Sequence, residues 1–285
     1  MGGSGQRIVG AMYHSPMPKT IEPATLQFRD GVPYSAAYGD VYHSADGGVG
    51  QARHVFLQGC GLPAAWAGRT VFSVLETGFG TGLNFLATWA AWRADPVRCA
   101  RLHFCSVEKH PFSADDLVRL HAQWPEFAEL AAELATNWPP PLPGFHRIAL
   151  DGGRVQLTLM LGDAVDCLPQ LAARIDAFYL DGFAPDRNAD LWQPALYAQF
   201  ARLARPGAAA ATYTVAAPVR QGSVATLSGM PDMARHPGFA VASGLLLQAI
   251  DPAPVYAMPQ AAAAALTEAH MGYVRRVGRW LAEAL

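Results

Sequence analysis

Four carboxylates stand at or beside the ends of four apolar runs. Glu76 follows Val71–Leu75, Glu108 follows Leu102–Val107, Asp163 follows Val155–Leu161, and Asp181 follows Ile175–Leu180. Between Glu76 and the helical pattern that opens at Leu83, three glycines alternate: Gly78, Gly80 and Gly82. A strand, a glycine turn and a helix in that order build a nucleotide-type pocket. Glycine lets backbone approach a ligand, and the first turn of the helix has N–H groups to offer. In an open α/β sheet the ligand lies outside the carboxyl ends of the strands, where all four acids fall. Glu108 is placed to accept hydrogen bonds from ribose hydroxyls. Asp181 begins DGFAPDRNADLW, a loop with Phe183, Pro185, Asn188 and Trp192. A carboxylate there can orient an amine and take its proton, while an aromatic side chain stacks on a base.

Plainer roles stand beside these. The glycine turn need hold no ligand, and Glu108 can be a solvated loop acid. Asp163 suits an N-cap for a helix starting near Val165. Asp181 can cap a turn with Trp192 in the core. Asp163, Asp181 and Asn188 could also be read as magnesium ligands, but no further ligand pattern accompanies them, so no metal is expected.

The elements that must position these residues alternate. Ala24–Ser35 reads as a hairpin about Asp30-Gly31, a dipeptide that accepts positive φ. A short helix is expected over Val49–Leu57, before the strand and helix of the glycine motif. Leu102–Val107 is the next strand; Ser113 and Asp116 form a capping box. Pro125 starts another helix, which Trp138 and the prolines after it end. Strands follow at His146–Leu150, Val155–Leu161 and Ile175–Leu180, then a helix over Leu191–Leu203 and a strand over Ala208–Thr214. Such alternation specifies a mostly parallel sheet covered on both faces.

Composition sets bounds. The chain has 285 residues, 51% of them hydrophobic, and a formal net charge of −2. That excludes a polycation coating nucleic acid, though a local basic face can still hold a folded RNA. No run approaches the roughly 20 apolar residues of a membrane span, and the N-terminus lacks a secretory pattern. Cys60, Cys99, Cys105 and Cys167 form neither a C-x-x-C pair nor a disulfide framework, which fits a cytoplasmic protein.

An acid followed by G-x-G-x-G is the pattern of S-adenosylmethionine (SAM) methyltransferases, whereas a dinucleotide fingerprint would need glycine in place of Leu83. Four segments, ETGFGTGLNFL, LHFCSVEKHP, LDGFAPDRNADLW and DVYHSADGGVGQARHVFL, together resemble the methyltransferase domain of the MnmC family. The likeness runs from about Ala24 to Arg220. It implies a Rossmann-like α/β methyltransferase with an N-terminal β extension, methylating the 5-aminomethyl group of a wobble uridine in a tRNA anticodon stem-loop. It also implies three parts: residues 1–66 as lead-in and extension, 67–255 as the methyltransferase domain, and 256–285 as linker and helix. Carried onto this chain, Glu76, Gly78, Gly80 and Gly82 would hold the methionine end of SAM, Glu108 the ribose and Asp163 the adenine side, with Asn84 and Lys109 also among the cofactor-binding residues. Asp181 would face the substrate amine, with Phe183, Pro185, Asn188 and Trp192 around the substrate.

The chain departs from that pattern in places. Ala189 stands where the family has proline. No G-x-G-x-x-G for FAD is present, so the oxidase step that supplies the aminomethyl group is expected from another, FAD-dependent protein, and this chain from a stand-alone or truncated methyltransferase. Gly238–Gly244 replaces a basic segment with uncharged residues, as genuine divergence or a shifted reading frame would. Ala240–Ile250 is expected as a strand, 261–266 as linker, and 273–285 as a basic amphipathic helix. Two rival readings remain at this stage: a small-amine methyltransferase or aminopropyl transferase, and a remnant that binds SAM or RNA without turnover.

Overall fold

The computed structural model describes residues 21–43 and 47–213. The chain opens with a small antiparallel sheet of β1 (Gln27–Arg29), β2 (Val32–Ser35) and β3 (Asp40–Val41). Asp30 and Gly31 turn the first hairpin with φ of 51° and 79°, as the Asp-Gly dipeptide predicts. A short helix α1 (Gly48–Gln51) continues into one stretch of π-helix, Ala52–Gln58.

The body is a six-stranded sheet. Its strands are β4 (Val71–Thr77), β5 (Arg101–Glu108), β6 (Gly144–Leu150), β7 (Val155–Leu161), β8 (Ile175–Tyr179) and β9 (Ala204–Ala211), in the order β6-β7-β5-β4-β8-β9. Helices α2 (Leu83–Ala94), α3 (Ala114–His121), α4 (Ala128–Thr136), α5 (Ala164–Cys167) and α6 (Pro194–Leu203) connect and cover them. All neighbours pair in parallel except β6 with β7. The reason is length: only Asp151–Arg154 joins those two strands, too little chain for a crossover, and Asp151, Gly152 and Gly153 take positive φ to close the turn.

Apolar side chains fill both faces. Phe85, Trp89 and Trp92 of α2 lie fully inside, between the sheet and the π-helical segment. Phe56, Leu57, Leu62 and Trp66 join that same core, so the residues before position 67 are built into the body. Ser113 caps α3 by accepting from the Asp116 N–H. The helix expected over Leu191–Leu203 instead begins at Pro194, after a turn of 3-10 helix at Ala189–Trp192, because proline has no N–H to donate and fits only the first helical turn. The final strand starts at Ala204, with a register shift opposite Ile175–Ala177. The tail features expected beyond residue 213, including the boundary at 256, lie outside the described residues.

A buried acid closes the end of the sheet away from the glycine turn. Asp176 of β8 accepts from the Ser73 N–H at 2.9 Å and from Arg69 at 2.8 Å, with Arg205 at 3.4 Å. Removing one partner of a buried network strands the others. Asp176→Ala is therefore expected to lower the free energy of unfolding by about 3 kcal/mol in a urea titration.

Candidate active site

Where β4, β5, β7 and β8 end, a cavity of about 290 Å³ opens. One wall is the glycine turn, Gly78 to Thr81; the extension contributes further lining, including Tyr38, Tyr42, Gln51 and Phe56. Gly78 and Gly80 have φ of 90° and 52°, a region that side chains with a Cβ rarely adopt. The turn is pinned from behind: the N–H groups of Gly78 and Phe79 both donate to the Val107 carbonyl. The Gly80 N–H donates to Glu108 Oε2 at 2.7 Å. These amides are thus committed within the protein, and the turn offers a ligand close approach rather than donors. Gly82 does not line the cavity. It begins α2 with φ of 75°, and a Cβ there would lie 2.7 Å from the Phe79 ring.

Glu108, Lys109 and Asp163 share the wall beyond the turn. Glu108 also accepts from the His110 N–H at 2.7 Å, and its two oxygens retain lone pairs for further donors. Asp163 both caps α5, accepting from the Val165 N–H, and pairs with Lys109 at 2.9 Å. That hydrogen bond holds the Lys109 ammonium above its ordinary pKa.

Asp181 sits half-buried beside the glycine turn, its carbonyl 3.8 Å from where a Gly78 Cβ would lie, and Gly182, Phe183 and Asn188 also line the cavity. Its Oδ1 accepts from the Gly182 N–H at 2.8 Å and its Oδ2 from the Asn84 amide at 2.6 Å. Burial pushes the Asp181 carboxyl up to about 6, against the pull of those two hydrogen bonds. The Asn84 amide donates as well to Glu76 Oε1 at 3.0 Å, and Ser106 Oγ donates to Glu76 Oε2 at 2.7 Å. Burial, and next the charge of Asp181, hold the Glu76 carboxyl well above the usual carboxylate range.

Besides Gly82, three expected site residues lie outside the lining. Glu76 is fully buried behind the cavity, and burial with the nearby Asp181 charge holds its carboxyl well above the usual carboxylate range. Trp192 packs into the core beside Leu196 and donates its indole N–H to the Phe183 carbonyl at 3.0 Å, supporting the loop from below. Pro185 is also absent from the lining. As for a magnesium site, Asp163 is paired to Lys109 while Asp181 takes amide donors, and no metal-binding group of three acids, histidines or cysteines occurs among the described residues.

Comparison with known proteins fits this geometry. The family described as S-adenosyl-L-methionine-dependent methyltransferase matches residues 125–248. The tRNA 5-methylaminomethyl-2-thiouridine biosynthesis bifunctional protein MnmC of Thiobacillus denitrificans is 78% identical over 206 residues, covering 72% of this chain and 33% of that protein. This chain is a relative of MnmC. MnmC of Azoarcus sp. is 63% identical over 203 residues, covering 71% of this chain and 32% of its own. The chain thus spans about a third of the length of the MnmC relatives it matches. The crystal structure of MNMC2 from Aquifex aeolicus shares the fold, with a TM-score of 0.56 at 21% identity over 75% of this chain and 65% of that one. The Rossmann-like methyltransferase architecture is therefore established.

The MnmC-like segment DVYHSADGGVGQARHVFL was legible as a resemblance, but its role was not. Tyr42 packs over Gly80, and Tyr38 stacks on Phe183 with ring centroids 4.6 Å apart. Tyr42 also meets Phe183 edge-on at 5.1 Å. Tyr213, after β9, completes the wall and donates to the Gly182 carbonyl. Tyrosine and histidine clustered in a turn-rich segment were the available signal for the extension.

Proposed function

We propose that this chain uses SAM to methylate the 5-aminomethyl group of the wobble uridine of tRNA, giving 5-methylaminomethyl-2-thiouridine. The observation that carries the reading is Asp181. It is a strand-end carboxylate on the cavity wall beside Phe183, bonded by amide donors and paired with no arginine or lysine among the described residues. Such a group takes a proton from an amine and holds the amine in line. The relatives' printed name, with its 5-methylaminomethyl group, supplies the substrate class.

The residues fit SAM. Gly78 and Gly80 form a cradle that a Cβ would narrow, Glu108 keeps acceptor capacity for ribose hydroxyls, and Asp163 stands on the adenine side. When bound, SAM supplies an electrophilic methyl group on a sulfonium. Asp181 would aim the neutral acceptor amine and take the proton its nitrogen loses as the N–CH3 bond forms and the methyl–sulfur bond breaks, while Phe183, Tyr38 and Tyr42 supply aromatic surface for the uracil ring and exclude water. The acceptor is an anticodon stem-loop prepared by an FAD-dependent oxidase activity, and the work is cytoplasmic. No helix among the described residues is long and apolar enough to cross a membrane.

The test is transfer of radiolabelled methyl from SAM to tRNA carrying the aminomethyl precursor, with unmodified tRNA alongside. Label on the precursor alone supports the reading; label on small polyamines instead favours a small-amine enzyme. Raising salt from 50 to 200 mM is expected to weaken tRNA binding by at least about tenfold while leaving the SAM dissociation constant unchanged. A tRNA affinity indifferent to salt would remove RNA from the proposal.

A further inference from the structure

Asn84 stands between two acids and bonds both with one amide nitrogen. Its Nδ2 lies 2.6 Å from Asp181 Oδ2 and 3.0 Å from Glu76 Oε1. The residue is 8% exposed, on the first turn of α2, where the helix enters directly from the glycine turn. Glu76 is fixed in its turn by Ser106, its register partner on β5. A chain of three hydrogen bonds therefore runs from β5 through β4 and α2 to the loop after β8. Thr77 Oγ1 ties the same loop down by donating to the Asp181 carbonyl at 2.6 Å.

We infer that Asn84 is a positioning residue for Asp181, setting the orientation and ionisation of the acid that receives the acceptor's proton, with Glu76 as its buried anchor. The inference rests on the reading of Asp181 as the substrate-facing acid. It reassigns Asn84 and Glu76 from cofactor-binding residues to supports of the reaction centre. An amide suits the place because it donates to two carboxyl groups without adding charge between them. Its short bond to Asp181 favours the ionised form, against the burial that opposes it. The titratable groups that interact with Asp181 are Glu76 on β4 and Tyr213 after β9; Glu108, Lys109, His110, Asp40 and His43 line the same cavity.

The experiment is a 13C NMR titration of aspartate-labelled protein, with Asp181→Asn used to assign the Asp181 carboxyl signal. In the native chain that signal is expected to titrate near 6. In Asn84→Leu the midpoint is expected to rise by about one pH unit, with SAM affinity by calorimetry held within about threefold. Asn84→Ala removes the donor without adding bulk or charge, so its midpoint rises too and decides the matter if the leucine variant is poorly folded. Midpoints unchanged from the native value in a folded variant would overturn the inference. The titration needs no acceptor RNA. Failure of transfer to precursor tRNA would thus overturn the functional reading while leaving this result intact.

Discussion

Asp181→Ala is expected to lower single-turnover methyl transfer by about a thousandfold while leaving SAM affinity within a few fold. A positioned proton acceptor contributes about 10² to 10⁴ in rate, and Asp181 is the cavity acid with the geometry for that work. Its carboxylate makes no hydrogen bond or ion pair with Glu108 or Asp163, so the cofactor contacts proposed for those two survive its loss. Asp181→Asn keeps the volume but cannot accept a proton, and is expected to be nearly as slow. The pH profile follows with a definite sign. Burial lifts the carboxyl to about 6, so the proton-accepting form is complete above that value and vanishes as pH falls through it. The rate should fall tenfold per pH unit below about 6, an acid limb that Asp181→Asn abolishes. An alanine variant retaining a tenth of the native rate would show that the acceptor's proton leaves by another route.

How far this site could be read from the chain depends on what kind of signal each part leaves. The glycine turn was legible because positive φ and close approach demand residues of one type at fixed spacing, right after an apolar strand. The Asp30-Gly31 hairpin was legible for the same reason. Side-chain direction was not. Glu76 sits one residue before the end of β4, and the register that pairs it with Ser106 turns it inward, away from the cavity. Trp192 looked like a stacking platform, yet an apolar ring in a loop is as readily buried as presented, and the core beside Leu196 took it. The aromatic wall from the extension joins residues 38–56 to a loop more than a hundred positions later. No local pattern encodes that meeting, since it arises only when the hairpin docks on the finished sheet. The antiparallel β6–β7 pair shows the opposite case: the brevity of Asp151–Arg154 forbade a crossover, and that was present in the spacing throughout.

The second large effect is expected at Gly80. Gly80→Val should weaken SAM binding by at least about a hundredfold, or roughly 2.7 kcal/mol, measured by calorimetry. A Cβ at this position would lie 3.3 Å from Tyr42 Cδ1, and valine adds two methyl groups beyond it. Tyr42 cannot simply retreat, because its ring is wedged between Phe112 and Phe183, each with centroid 5.1 Å away. The new methyl groups must therefore fill the cavity or push the turn off Glu108, whose Oε2 takes the Gly80 N–H at 2.7 Å. Either response damages the pocket, the first by volume and the second by moving the acid assigned to the ribose. Backbone strain is a separate cost: a β-branched residue at φ of 52° loses about 1–3 kcal/mol of stability whether or not ligand is present. Gly31→Val separates the two effects. Gly31 has φ of 79° but nothing within 4 Å of its missing Cβ, so it carries comparable strain far from the cavity. Both variants should melt at lower temperature, and only Gly80→Val should lose SAM. Equal SAM affinity in the two variants would mean that the glycine turn is a fold requirement and that the cofactor lies elsewhere.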